Sequence, residues 1–240
     1  MSDLRNKPIG LIVAENLAAA SVFEARGMDF CCHGGQTLEA VCKARRIPIE
    51  QLETELAALN PETTAERPDL NAMTPAELAR HIVAVHHVYT KKALPEIAGH
   101  LDTVVRVHGG NHPQLAAIRQ LFTTLRQELE PHLEKEEQIV FPYIEAMDES
   151  GSPPPADFSG VSQPIAALER EHESAGKTFD RINTLAEGYQ PPDDACNTYR
   201  LVLRELQDLE QDLHVHIATE NYLLFPKAVA LEKSLGGRKS

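Results

Sequence analysis

The sequence contains no tryptophan, and aromatic residues make up only 5% of it. Strands draw on aromatic and β-branched side chains, so a chain built on leucine and small apolar residues suits packed helices better. No stretch shows the apolar/polar alternation of a half-buried strand. No apolar run approaches the roughly 18 residues of a membrane span. The polar start, Met1 to Pro8, and the break at Glu15-Asn16 speak against a secretory leader. Cysteine is scarce: Cys31, Cys32, Cys42 and Cys196. Two of the four are adjacent, which is no disulfide framework, and a reducing cytoplasm is the expected compartment. Positive charge is in deficit, with 23 Lys and Arg against 36 Asp and Glu, a net charge of -13. That argues against partners such as nucleic acid or an anionic membrane.

The 240 residues, 42% of them hydrophobic, allow one large or two modest domains. The first, 1–60, reads as short helices up to Gly27, a loop Met28 to Gly35, and two more helices, the second beginning at Pro48. It is too small for a large core of its own and is expected to lean on something else. Residues 61–73 read as a linker. Thr74-Pro75-Ala76-Glu77 is a helix start, with Thr74 as cap, Pro75 in the first turn and Glu77 completing a capping box. Four long amphipathic segments occupy 74–233: Pro75 to Val107, perturbed at Pro95; Pro113 to Met147; Val161 to Glu187; and Asp194 to Lys233. A proline-rich loop, Ser150 to Gly160, divides them. Residues 234–240 read as a tail. The expected fold is all-α, a small helical domain before an antiparallel four-helix bundle.

One pattern is written twice. His132, three residues, Glu136, four residues, Phe141-Pro142 recurs as His216, Glu220, Phe225-Pro226. Positions i and i+4 share a helix face, so each copy projects an imidazole and a carboxylate together. His87 precedes His132 by about one helix, as His172 precedes His216. These residues sit in apolar stripes: Leu125, Leu129, Ile139 and Tyr143 around His132, and Leu209, Leu213 and Leu223 around His216. Ionisable groups at core positions are costly to bury without partners, and a metal turns them into ligands. Four His and two Glu, with no thiolate among them, match two iron ions, each Glu able to bridge both. A single His-x3-Glu is usually a surface pair, and it is the duplication in register that carries the metal reading. A ferritin-like site would need Glu-x-x-His on two helices, and only Glu169-x-x-His172 qualifies.

His87 is preferred over the adjacent His86 because it aligns with Val83 and Leu94. His214 reads as a solvated group or one behind the ligands, and His81, His100 and His112 as surface. His108 is a candidate extra or exchangeable ligand. Cys42 and Cys196 read as small core residues. The adjacent Cys31 and Cys32 rarely bridge each other without strain, so a paired soft-donor or redox site is the functional reading. Gly34 and Gly35 would let that loop move.

These features resemble the RIC (repair of iron centres) proteins, the YtfE/ScdA group. The resemblance covers nearly the whole chain. It rests on Asp29-Phe30-Cys31-Cys32, Gln36-Thr37-Leu38, the linker, the duplicated His-x3-Glu-x4-Phe-Pro, Lys135 to Ile139 and Glu171-His172-Glu173. It implies a ScdA-type domain before a haemerythrin-like bundle. It also implies a non-haem di-iron centre, oxo- or hydroxo-bridged, on His87, His132, His172 and His216 with Glu136 and Glu220. Cys31 and Cys32 are implied to lie near the iron exit, or to pass on iron or electrons. The implied partners are iron–sulfur proteins damaged by nitric oxide or oxidants. One departure is His33, which makes Cys-Cys-His-Gly of the group's Cys-Cys-Gly-Gly; it is read as solvent-facing.

Iron donation is therefore the leading functional expectation. Nitric oxide reduction at the di-iron site and oxygen or redox sensing are the alternatives. A homodimer, in which the small domain packs on its own bundle or on a partner's, is left open.

Overall fold

The computed structural model describes residues 2–59 and 68–236. Residues 61–67 of the expected linker and the last four residues of the expected tail lie outside them. Among the described residues there is no strand, only an isolated bridge between Pro8 and Thr37. The protein is all-α. Among the described residues twelve helices run α1 (Ser2–Asn6), α2 (Ile9–Glu15), α3 (Ala19–Glu24), α4 (Leu38–Arg45), α5 (Ile49–Ala58), α6 (Pro75–Ile82), α7 (Val88–His108), α8 (Gln114–Lys135), α9 (Phe141–Ser150), α10 (Ser162–Leu185), α11 (Asn197–Thr219) and α12 (Phe225–Gly236). No helix is long and apolar enough to cross a membrane among the described residues.

Three π-helical turns join α6 to α7 (Val83–His87), α8 to α9 (Glu136–Val140) and α11 to α12 (Glu220–Leu224). With α10 they make four long rods, as the periodicity predicts. The π turns were not anticipated. A π turn holds an extra residue and shifts the helical phase of the residues beyond it. Ile139, expected in the core stripe, is accordingly 51% exposed, and Val140 is buried in its place. In two of the three turns a local cause is visible. Pro142 and Pro226 come within two residues of the turn's end, and each ring crowds the carbonyl four residues back, inside the turn. Pro95 is carried within α7.

The chain divides into two compact units: 1–80 with 143–162 and 214–240, and 81–142 with 163–213. In the first, the capping box at α6 forms as expected. Glu77 N–H donates to Thr74 Oγ1 (3.3 Å), and Thr74 N–H donates to Glu77 Oε2 (2.9 Å). The small N-terminal helices and the loop between them bury Ile9, Phe23, Phe30, Leu38 and Leu52, and Arg5–Glu53 and Arg26–Glu55 ion pairs tie α1 and the turn after α3 to α5. What they lean on is the C-terminal rod of the same unit. Gly10 lies against the Tyr222 ring, Phe30 packs edge-on to His214 at 5.9 Å, and His214 Nδ1 is 3.4 Å from Glu24. Tyr143 donates to Glu232, and Lys227 to the carbonyls of Asn71 and Met73.

The second unit holds the stripes of α7, α8, α10 and α11. Leu101, Phe122, Leu125, Phe179, Leu206 and Leu209 are buried. Each fully buried Phe or Leu contributes about 1.5–3 kcal/mol of transfer free energy.

Candidate metal centre

The donors are placed by the turns just described. His87 ends the first π turn, while Glu136 and Glu220 open the other two. His172 lies on the regular α10. His87, His132, Glu136, His172, His216 and Glu220 are all buried, none more than 3% exposed.

In the second unit, Glu136 presents its two oxygens to different imidazoles. Oε2 is 3.4 Å from His87 Nε2, whereas Oε1 is 3.2 Å from His132 Nε2 and 3.9 Å from His172 Nε2. His132 and His172 approach Nε2 to Nε2 at 3.2 Å. In the first unit, His216 Nε2 is 3.1 Å from Glu220 Oε1. Donor atoms of His87, Glu136, His216 and Glu220 lie within 4.8 Å of one another, as do those of His132, Glu136, His172 and Glu220. The two groups share both carboxylates.

A metal fits this donor set. Ligand bonds of about 2.0–2.2 Å at tetrahedral or octahedral angles put neighbouring donors about 3 Å apart, as most of these pairs are. Two buried carboxylates facing imidazoles are costly in the absence of a cation. The tautomers of His87 and His132 are also set. His87 Nδ1 lies 2.8 Å from Glu137 Oε1, and His132 Nδ1 lies 2.7 Å from Glu171 Oε2. A carboxylate at Nδ1 holds the proton there and leaves Nε2 as a lone pair. Burial works to raise the pKa of Glu137 and Glu171. Lys91 and His87 outweigh it at Glu137, Lys135 and His132 at Glu171, and both carboxyls end below their ordinary value. Both therefore stay ionised. These two supporting residues were missed in the sequence, although Glu137 directly follows Glu136 and Glu171 directly precedes His172.

The other histidines divide differently from expectation. His86 is buried against Asp212 at 2.9 Å. His100 and His112 are half-buried and paired with Glu205 and Asp194, not free surface groups. His108, considered as an extra ligand, stands at the far end of α7 from His87. That helix has 21 residues, about 30 Å at 1.5 Å per residue. His108 groups instead with His112 and Asp194.

The cysteine loop lies in the first unit. Asp29 Oδ1 accepts backbone N–H groups of Cys31 (3.1 Å), Cys32 (2.9 Å) and His33 (3.3 Å). The two thiol sulfurs are 3.5 Å apart. Cys31 is buried, and its pKa is pushed well up by the hydrogen bond with Cys32 and by burial. His33 is exposed, with Nδ1 at 2.5 Å from Asp29. Asn221, the residue after Glu220, donates to the Cys31 carbonyl at 3.0 Å. Gly34 does not act as the hinge expected of it: a Cβ there would stand 2.0 Å from Phe30 O and 2.8 Å from Gly10 Cα. It is a close-packing glycine, and its carbonyl accepts from Gly10 N–H at 2.9 Å. Cys42 is buried, but Cys196, expected in the core, is exposed.

Four helical rods bearing two buried His/Glu clusters that share their carboxylates define a haemerythrin-type cation-binding bundle. In agreement, residues 78–228 match the Hemerythrin HHE cation binding domain, and residues 5–60 match ScdA_N, a Domain of Unknown function (DUF542). The chain is 33% identical over 231 residues to iron-sulfur cluster repair protein YtfE of Enterobacter sp. (strain 638), covering 95% of this chain and 99% of that protein. Its counterparts in Citrobacter koseri and Escherichia coli O8 match to the same extent. The chain belongs to the YtfE/ScdA family.

Proposed function

We propose that this protein repairs iron–sulfur clusters damaged by nitrosative or oxidative stress, by donating iron held on His87, His132, Glu136, His172, His216 and Glu220. The observation that carries this reading is the pair of buried donor clusters sharing Glu136 and Glu220, in a chain similar end to end to named repair proteins. When bound, iron supplies the cargo and a redox-active, oxygen- and nitric oxide-binding centre. The protein's own part is to hold Nε2 lone pairs and two anionic carboxylates inward, with Glu137 and Glu171 fixing the His87 and His132 rings. In this reading 1–60 is the transfer domain and 74–233 the iron-holding bundle, working in the cytoplasm. Cys31 and Cys32 take iron or electrons outward, a role supported by two sulfurs 3.5 Å apart beside the Asp29 carboxylate.

The test mixes iron-loaded protein with an oxidised or nitrosylated cluster protein and follows recovery of its activity. Recovery beyond that given by equal free ferrous iron is expected, and no gain removes the donation reading. The paired arrangement of the clusters also favours a second reading, in which two nitric oxide molecules, two electrons and two protons give nitrous oxide and water. Anaerobic nitrous oxide formation from an added electron donor distinguishes it.

A further inference from the structure

A second cluster of ligand-type side chains lies at the far end of α7. His108 closes that helix, His112 comes next in the turn, and Asp194 lies just before α11. Donor atoms of the three lie within 4.8 Å of one another. His112 Nε2 faces both carboxylate oxygens of Asp194, at 2.9 and 3.0 Å. The turn is held by Asn111 N–H and His112 N–H, both donating to the His108 carbonyl. The buried Tyr199 ring packs against both imidazoles, 5.4 Å from His108 and 5.5 Å from His112. An ordinary ion pair would need only His112 and Asp194. It does not account for His108, whose Nε2 is buried with no hydrogen-bond partner.

We propose that His108, His112 and Asp194 form a separate, solvent-open binding site for a divalent first-row cation of the zinc or ferrous class. Two imidazoles and one carboxylate suit such borderline ions, whereas calcium and magnesium seek oxygen-only shells. Asp194 is exposed, which leaves coordination positions to water and lets an ion enter and leave. Tyr199 and the short turn pre-set both rings, so little ordering accompanies binding. Cys196 lies beside His108 but outside the group of three.

The probe is Zn2+. Full-length, iron-loaded protein is titrated by calorimetry beside His112→Ala and Asp194→Asn, with iron content and far-UV circular dichroism recorded for each. The wild type is expected to bind one more Zn2+ than either variant, all three keeping the same iron content. The difference between proteins is the readout, so Zn2+ taken up by Cys31 and Cys32 cancels. Equal stoichiometry and affinity in all three overturns the site. Should His112→Ala misfold, Asp194→Asn decides alone, since its amide preserves the shape and a hydrogen bond to His112. Cys196→Ser is expected to retain the extra ion; its loss there would overturn the three-residue donor set. These residues play no part in iron donation from the buried clusters, so the two readings fail separately.

Discussion

The two copies of His-x3-Glu-x4-Phe-Pro share a backbone device and differ in what surrounds it. In both, the Glu opens a π turn and the Pro comes just after it. In the first copy the next residue, Glu137, reaches His87 and Lys91, and the turn exposes Ile139. In the second copy the next residue, Asn221, holds the Cys31 carbonyl, and Tyr222 lies over Gly10. The inward positions are duplicated because both copies present the same donors. The outward positions have diverged, one supporting a histidine and the other supporting the thiol loop.

The sharpest way to break this comparison is to remove an inward residue from either copy. Glu136→Ala belongs to both clusters and is expected to lower iron content to less than half of wild type, and His216→Ala to lower it as well; iron analysis per chain checks this. Cys31→Ala is expected to keep the iron and lose transfer, and a site emptied by that change would contradict the division of labour. Next in size is Glu171→Gln, which takes the anionic partner from His132 Nδ1. Metal affinity should fall about 10- to 100-fold, measured by competition with a chelator. Because the Glu171 pKa lies below its ordinary 4.5, its support is present above that pH and is lost only as pH falls through the lower folded value. Metal retention in wild type should show the same acid limb.

Changes at and around the outward face of the second copy should act only on the thiol loop. Gly34→Ala drives a Cβ into Phe30 O and is expected to cost about 1–3 kcal/mol in denaturant unfolding, with iron retained. Asn221→Ala is expected to cost about 1 kcal/mol and to speed alkylation of Cys31, whereas Glu137→Ala should leave that rate alone. Among the thiols, Cys196 should alkylate first. Its pKa is lowered by the Tyr199 backbone N–H and by His108, while burial pushes Cys42 up.

The four rods were legible because leucine periodicity is a local signal, and the inward donors were legible because i, i+4 spacing fixes a face. The π turns were not, since apolar spacing does not record the crowding that Pro142 and Pro226 impose on two of them. The shift from Ile139 to Val140 is a direct consequence. Glu137 and Glu171 escaped because each meets a histidine on another rod, and helical spacing says nothing about such partners. A glycine pair such as Gly34-Gly35 looks permissive and suggests a mobile loop. Only the approach of Gly10 and Phe30 shows that Gly34 is confined. Residue type alone puts Cys196 in the core, but it lies just before α11 and is exposed.

Freshly purified protein, assayed for iron per chain beside Glu220→Ala, puts the shared-carboxylate arrangement most directly at risk. About two irons should accompany each wild-type chain, coupled to one another in the magnetic spectrum, with both largely gone from the variant. A single uncoupled iron, or a variant that keeps its full complement, would contradict it.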